Sequence, residues 1–166
     1  MKKISFRNDV LPLKNALYRL ALRITLNREE AEDIVQDTLI KVWNKRESWD
    51  EIDSIEAFSL TICKNLALDH LKRSSRQDSQ IGGAAEEKPD GSSSPYEQML
   101  HKDRMTLIRR LVDALPEKQR CCMQLRDFEG KPYKEIAEIM EISEEQVKVN
   151  IFRARQAIKQ RFKQLD

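Results

Sequence analysis

The sequence predicts an all-α chain of two small helical domains joined by a flexible linker, and three observations carry that prediction. Large apolar residues recur at three- and four-residue spacing through both ends of the chain, the period of a helix with one buried face. Only four glycines and 6% aromatic residues accompany a charged fraction of 35% and a hydrophobic fraction of 40%, enough apolar side chains for a core beneath a heavily solvated surface. The stretch from Ser74 to Pro95 holds all but one of the glycines and almost no large apolar residue. Such a segment buries too little surface to offset the entropy of ordering it. The 166 residues therefore divide at a tether: a first domain over 8–76, a linker over 77–95 and a second domain over 96–166.

The first domain reads as three helices. Leu13, Leu17, Leu20 and Ile24 form one apolar stripe from about Asp9 to Leu26. Asn27 followed by Glu30 is a capping-box pattern that starts a second helix running to about Lys45. Asp53 with Glu56 repeats that pattern before a third, in which Phe58, Ile62 and Leu66 face inward and which ends near Arg76. A polar loop, Arg46 to Asp53, carries Trp49 between the last two.

The second domain reads as four helices. Met99 to Ala114 is amphipathic through Leu100, Leu107, Ile108 and Leu111, and Pro116 suits the first turn of the next helix, which stops before Gly130. Pro132 opens a short helix, Tyr133 to Met140; after the turn Glu141-Ile142-Ser143, Ser143 and Gln146 cap a last helix reaching about Leu165.

Charge is informative by region rather than in total. The net value is +2, yet Met1 to Arg76 has 14 basic and 12 acidic residues, Gln77 to Asp103 has 2 and 6, and Arg104 to Asp166 has 14 and 10. An acidic middle separates two basic ends. Cys63, Cys121 and Cys122 form no C-x-x-C pair, and with His70 and His101 the only histidines there is no zinc-ligand spacing. The cysteines are expected to pack in a reducing cytoplasm, with no metal and no cofactor. No apolar run approaches a membrane span, and the first residues lack the apolar core of a signal peptide.

The last two helices have the proportions of a helix-turn-helix: a short helix, a three-residue turn and a longer helix suited to the major groove. Val147, Ile151, Ala154, Ile158 and Phe162 form its expected buried stripe. From Gln146 to Leu165 there is no acidic residue, while Lys148, Arg153, Arg155, Lys159, Arg161 and Lys163 are basic. A helix facing phosphates has this composition, because each neutralised phosphate releases counterions. Cations at the negative end of the helix dipole explain the distal charges but not Lys148 or the upstream turn. Phe152 beside the stripe suits either the core or a thymine methyl in the groove.

The segment L-P-E-K-Q-R-C-C-M-Q-L-R-D-F-E-G-K-P-Y-K-E-I-A-E-I-M-E-I-S-E-E-Q-V-K-V-N-I-F-R-A-R-Q-A-I-K closely resembles the sigma-4 domain of extracytoplasmic function (ECF) RNA polymerase sigma factors, of the sigma-70 family. The resemblance implies binding to the −35 promoter element and to the flap of the polymerase β subunit. By matched position it implies that Arg126, Lys148, Val149, Phe152 and Arg153 face DNA. Members often have serine and arginine where this chain has Val149 and Asn150, which leaves the base preference open.

In the first domain, A-E-D-I-V-Q-D-T-L-I-K-V-W puts Glu29, Asp33, Gln36, Asp37 and Ile40 on overlapping helical faces. By composition alone this is a solvated face; with no convergent histidine and no phosphate-binding loop, an enzymatic role finds no support. The stretch resembles the part of the sigma-2 domain that docks on the coiled coil of the polymerase β′ clamp. That implies polymerase contacts for Asp33, Gln36 and Asp37, with Trp43 in the core; Leu39 stands where phenylalanine is common.

The third helix, E-A-F-S-L-T-I-C-K-N-L-A-L-D-H-L-K-R, resembles the family's promoter-melting helix. Phe58 replaces the usual tryptophan, His70 the usual tyrosine and Thr61 a frequent arginine. The match implies that Lys64, Asn65, Lys72, Arg73 and Arg76 track the nontemplate strand of the −10 element, with a flipped base in a pocket formed with the Arg46 to Asp53 loop. Asp69 is expected to pair with Lys72 or Arg73. The resemblance thus implies an alternative sigma factor, cytoplasmic and not itself an enzyme, whose partners are core RNA polymerase (β′ clamp and β flap), promoter DNA and an anti-sigma factor, with no small-molecule substrate and no membrane insertion. Its rivals are a helix-turn-helix regulator that works without core polymerase and a sigma mimic that titrates an anti-sigma factor. The first gives no reason for the acidic helix, and the second none for the basic one.

Overall fold

The computed structural model describes residues 3–81 and 103–164. The segment from 82 to 102, which holds most of the sequence's linker, His101 and the start of the helix expected from Met99, lies outside the described residues. Every regular element among the described residues is helical.

The chain enters through a wide turn, Phe6–Val10, capped by Ser5, whose side chain accepts from the Asn8 amide at 3.2 Å, and then a tight turn, Leu11–Leu13, with Pro12 near its start. Helix α1 (Lys14–Thr25) follows, so the stripe starting at Asp9 is helical throughout, though only its later part is α-helix. It ends at Leu26, a non-glycine residue in the left-handed region (φ 58°), whose amide closes on the Leu22 carbonyl at 2.8 Å. Asn27 then caps α2 (Arg28–Asn44), its side chain accepting from the Glu30 amide at 3.0 Å. A short 3-10 turn, Arg46–Glu51, leads to α3 (Ile55–Ile81), which continues past the expected end near Arg76. The expected Asp53–Glu56 capping box is not what starts α3: the Ser54 hydroxyl accepts from the Ala57 amide at 3.0 Å, and Glu56 pairs instead with Lys131 of the second domain.

In the second domain α4 (Asp103–Asp113), α5 (Glu117–Met123) with a wide turn continuing it (Gln124–Phe128), α6 (Tyr133–Met140) and α7 (Glu144–Gln164) follow in the expected order. Gly130 stops the wide turn after α5 in the left-handed conformation (φ 70°), where a side chain is unfavourable. The α6–α7 turn passes through Glu141 at φ 60°. Ser143 and Gln146 complete their capping box in both directions: the Ser143 hydroxyl accepts from the Gln146 amide at 3.1 Å, and the Gln146 side chain accepts from the Ser143 amide at 3.0 Å. Ser143→Ala is expected to lower stability by about 1 kcal/mol, read as a shift in the urea unfolding midpoint without a change in slope.

The two domains share one core. Leu17, Leu20, Ile24, Ile34 and Leu60 of the first pack in the same buried cluster as Cys121, Leu125, Ile136, Ile139, Val147 and Ile151 of the second. Helix α1 lies on α5 and its following turn, and α3 lies on α6. A smaller cluster joins Val112, Leu115, Met123 and Ala154 within the second domain. Phe162, expected in the buried stripe of α7, is exposed because that helix outruns the elements beneath it. None of the described helices is long and apolar enough to cross a membrane.

Candidate DNA and polymerase interfaces

Helix α7 is buried along Val147, Ile151 and Ala154, which fixes the opposite face outward. Lys148, Val149, Phe152 and Arg153 are all exposed there, Phe152 to 62%, so the aromatic ring stands free rather than in the core. Arg155 lies on the same side and is held by Asp127 through two hydrogen bonds, one from its Nε at 3.2 Å; the bond to Asp127 raises the guanidinium pKa further above its ordinary value. Arg126, placed with these residues by sequence, is half-buried: its guanidinium donates to the Lys131 carbonyl at 2.9 Å and stacks 4.7 Å from the centre of the Tyr133 ring. It braces the loop before α6.

Helix α2 buries Ala31, Ile34, Val35, Thr38 and Val42, so Asp33, Gln36 and Asp37 lie exposed on its outer side. Ile40, 56% exposed, continues that row, and Trp43 follows it. Trp43, expected in the core, is 43% exposed instead, in edge contact with Phe6 and Trp49 and covered on one face by the Arg46 guanidinium at 4.3 Å. The tryptophan expected in a polar loop takes the buried place: Trp49 is 7% exposed and its indole donates to the Val42 carbonyl at 3.1 Å. Default placement of aromatics inside hides Trp43, although its spacing from Gln36 and Ile40 puts it on the outer face.

On α3 the strand-contact candidates separate. Asn65, Lys72 and Arg73 are exposed, and Asp69 pairs with Arg73 at 3.7 Å, as expected for an internal pair. The Arg76 side chain lies outside the described residues. Lys64, one position round from Asn65, is 2% exposed and donates to Glu141 of the α6–α7 turn at 3.1 Å.

That contact is one of several polar links between the domains. Lys131 pairs with Glu56. Arg19 grips Glu129 in a bidentate pair (2.6 and 2.8 Å). Burial pushes the Glu129 carboxyl up, but Arg19, Gln124 and Lys131 together outweigh it and hold the pKa below the usual carboxylate range. Arg23 donates to Gln124 at 2.8 Å and Asp113 at 2.9 Å, and its guanidinium lies 5.0 Å from the Phe128 ring centre. Arg120, 7% exposed, donates to the Arg23 and Ile24 carbonyls at the end of α1 and to the Leu115 carbonyl, at 2.8 to 2.9 Å.

All three cysteines are buried and reduced, and burial pushes the thiols up to about 12 for Cys63 and Cys121 and about 11 for Cys122. Among the described residues no group of three or more His, Cys, Asp or Glu side chains is arranged to hold a metal ion.

Residues 10–77 match sigma-70 region 2, and residues 105–158 match sigma-70, region 4. RNA polymerase sigma-H factor of Pseudomonas aeruginosa is 29% identical over 164 residues, covering 94% of this chain and 85% of that protein. The ECF RNA polymerase sigma-E factor of Escherichia coli K12 is 29% identical over 141 residues, covering 78% and 72%. Among solved structures, the sigma factor RpoE in complex with the anti-sigma factor NepR from Bartonella quintana superposes with a TM-score of 0.78 at 25% identity, over 95% of this chain and 96% of that one. CnrH in complex with the cytosolic domain of CnrY shares the fold, with a TM-score of 0.68 at 19% identity over 95% and 87%. With both regions present in order on one chain, the protein belongs to the sigma-70 family of RNA polymerase sigma factors, in its extracytoplasmic function branch.

Proposed function

We propose that this chain is an alternative sigma factor that joins core RNA polymerase and directs initiation at promoters it reads at the −10 and −35 elements. The observation that carries the reading is the union, in one chain, of an acidic exposed face on α2 and a cationic exposed face on α7, each within a matched sigma region. A helix-turn-helix regulator working alone accounts for the second of these and leaves the first without a role.

The row Asp33, Gln36 and Asp37 suits a basic coiled-coil surface such as the β′ clamp, and Ile40 and Trp43 add the apolar contact that such a face needs at its edge. Lys148, Val149, Phe152 and Arg153 would enter the major groove of the −35 duplex. Arg126 would support that helix and reach DNA only at its margin. Asn65, Lys72, Arg73 and Arg76 would follow the separated −10 strand, and Lys64 would join them once its contact with Glu141 is released. The protein then works in the cytoplasm, positions a catalyst and catalyses nothing itself, and needs no cofactor. The neighbour from Bartonella quintana is bound to the anti-sigma factor NepR, which supports an anti-sigma factor as a partner here. The cleft of about 600 Å³ between α1 and α4, floored by Leu22, Ile108 and Phe128, is a surface open to such a protein.

Run-off transcription from genomic fragments with sigma-free polymerase, with and without the chain, tests the proposal; unaltered start sites and no co-elution with polymerase would refute it. Arg153→Ala is expected to weaken −35 binding. If the guanidinium meets a base, specificity relaxes by about 1 to 3 kcal/mol at one position, as read from binding to single-base variants of the site. A uniform loss across all sequences would assign Arg153 to phosphate instead.

A further inference from the structure

We propose that Val149 and Phe152 form a paired apolar reader on α7 that selects two neighbouring thymines of the −35 duplex by their 5-methyl groups, while Asn150 takes no part in reading bases. This rests on the −35 function just assigned to α7 and deepens it by naming the bases chosen.

A single exposed apolar side chain needs no explanation, but two on one face, a helical turn apart, make a patch. Val149 is 43% and Phe152 62% exposed, while Val147, Ile151 and Ala154 behind them are at most 1% exposed, so the pair is not a ragged edge of the core. Lys148 and Arg153 flank it, both exposed. The surface that fits this face therefore surrounds an apolar point with negative charge. A duplex has that character by construction: phosphates line the major groove, and the one apolar group among the base edges there is the thymine methyl. The spacing agrees. Three residues of α-helix rise about 4.5 Å, against about 3.4 Å from one base pair to the next, so the two tips meet neighbouring pairs rather than the same one.

Asn150 is adjacent in sequence but turned away. An asparagine amide free in the groove pairs with adenine through both of its polar atoms. Here the amide donates to the Gln146 carbonyl at 2.8 Å, one turn back along the helix, and the side chain is half-buried. Base discrimination on this stretch of α7 falls to the two methyl contacts and to Arg153.

Core polymerase loaded with the full chain is used to select from duplexes with a randomised upstream segment. The enriched duplex is then resynthesised with deoxyuridine in place of each thymine in turn, which removes one methyl and keeps the base pair. Two neighbouring positions are expected to lose about threefold to fivefold in affinity each, the worth of one buried methyl, and other thymines none. With Val149→Ser the penalty should vanish at one of these positions, and with Phe152→Ala at the other; both side chains are exposed, so neither change touches the core. Asn150→Ala should enrich the same sequence as wild type. Deoxyuridine tolerated at every position overturns the methyl reading and leaves −35 recognition standing; if Val149→Ser or Phe152→Ala then weakens co-elution with polymerase, the patch is a protein contact instead. Penalties that persist unchanged in both variants overturn the assignment to this pair, and an altered sequence from Asn150→Ala overturns the exclusion of that residue. No enrichment of any sequence by wild type removes the −35 function itself, and the methyl reading with it.

Discussion

Asp33→Lys together with Asp37→Lys is expected to abolish assembly with core polymerase while leaving the fold intact. Both side chains project into solvent from the face of α2 opposite its buried residues, Ala31, Ile34, Val35, Thr38 and Val42, so neither substitution touches the core. Their effect on stability should stay within about 0.5 kcal/mol, the usual range for exposed positions. At an interface the account is different. Each reversal replaces an attraction with a repulsion, and close charge pairs across protein interfaces couple by about 1.5 to 7 kcal/mol. Two together should lower affinity at least a hundredfold, which size-exclusion co-elution or competition against a second sigma factor would show. The isolated binding of the second domain to −35 duplex, measured with the same variant, should be unchanged. A variant that assembles and transcribes at wild-type levels would place the polymerase contact elsewhere, and Ile40 and Trp43 would then need another explanation for their exposure.

Much of this architecture is legible in the sequence because it rests on local signals. The capping oxygens of Asn27 and Ser143, the stop at Gly130 and the three- to four-residue apolar stripes each act within one turn of their own position. The exposed rows on α2 and α7 follow from the same periodicity, since the buried stripe determines the outer face. What escapes such a reading are choices made by contacts far away in sequence. Glu56 has the spacing of a cap residue, but Lys131 of the other domain outcompetes the amide it was expected to serve, and Ser54 takes over the cap. Trp43 and Trp49 exchange their expected places because the short turn Arg46–Glu51 folds Trp49 back under α2, with its indole on the Val42 carbonyl. Lys64 and Asn65 look equivalent along α3, yet one is covered and the other open, a difference set by where α6 lands. No local pattern encodes that.

Arg120→Met is expected to damage the fold more than any other single substitution in the shared core's polar links. The methionine keeps the apolar stem in a site only 7% exposed, so the loss isolates the guanidinium. Three carbonyls lose their donor at once, those of Ile24 and Leu115 buried and that of Arg23 partly buried. An unsatisfied buried acceptor costs about 1 to 3 kcal/mol, and partial relaxation or entry of water should leave a net loss of about 3 kcal/mol. For a protein of this size that lowers the melting temperature by about 6 to 12 °C. Arg120→Lys should recover little of it, because an ammonium on a flexible stem cannot serve three acceptors spread around a planar fork. The form of the transition carries a second test. Two of the three carbonyls belong to α1, and the cluster around Leu17, Ile24, Leu125 and Ile139 is continuous across both domains. Wild type should therefore unfold in one cooperative step, and the variant in two, as the first and second domains lose the element that couples them. A single transition in both proteins, shifted by less than about 2 °C, would show that Arg120 does not hold the halves together.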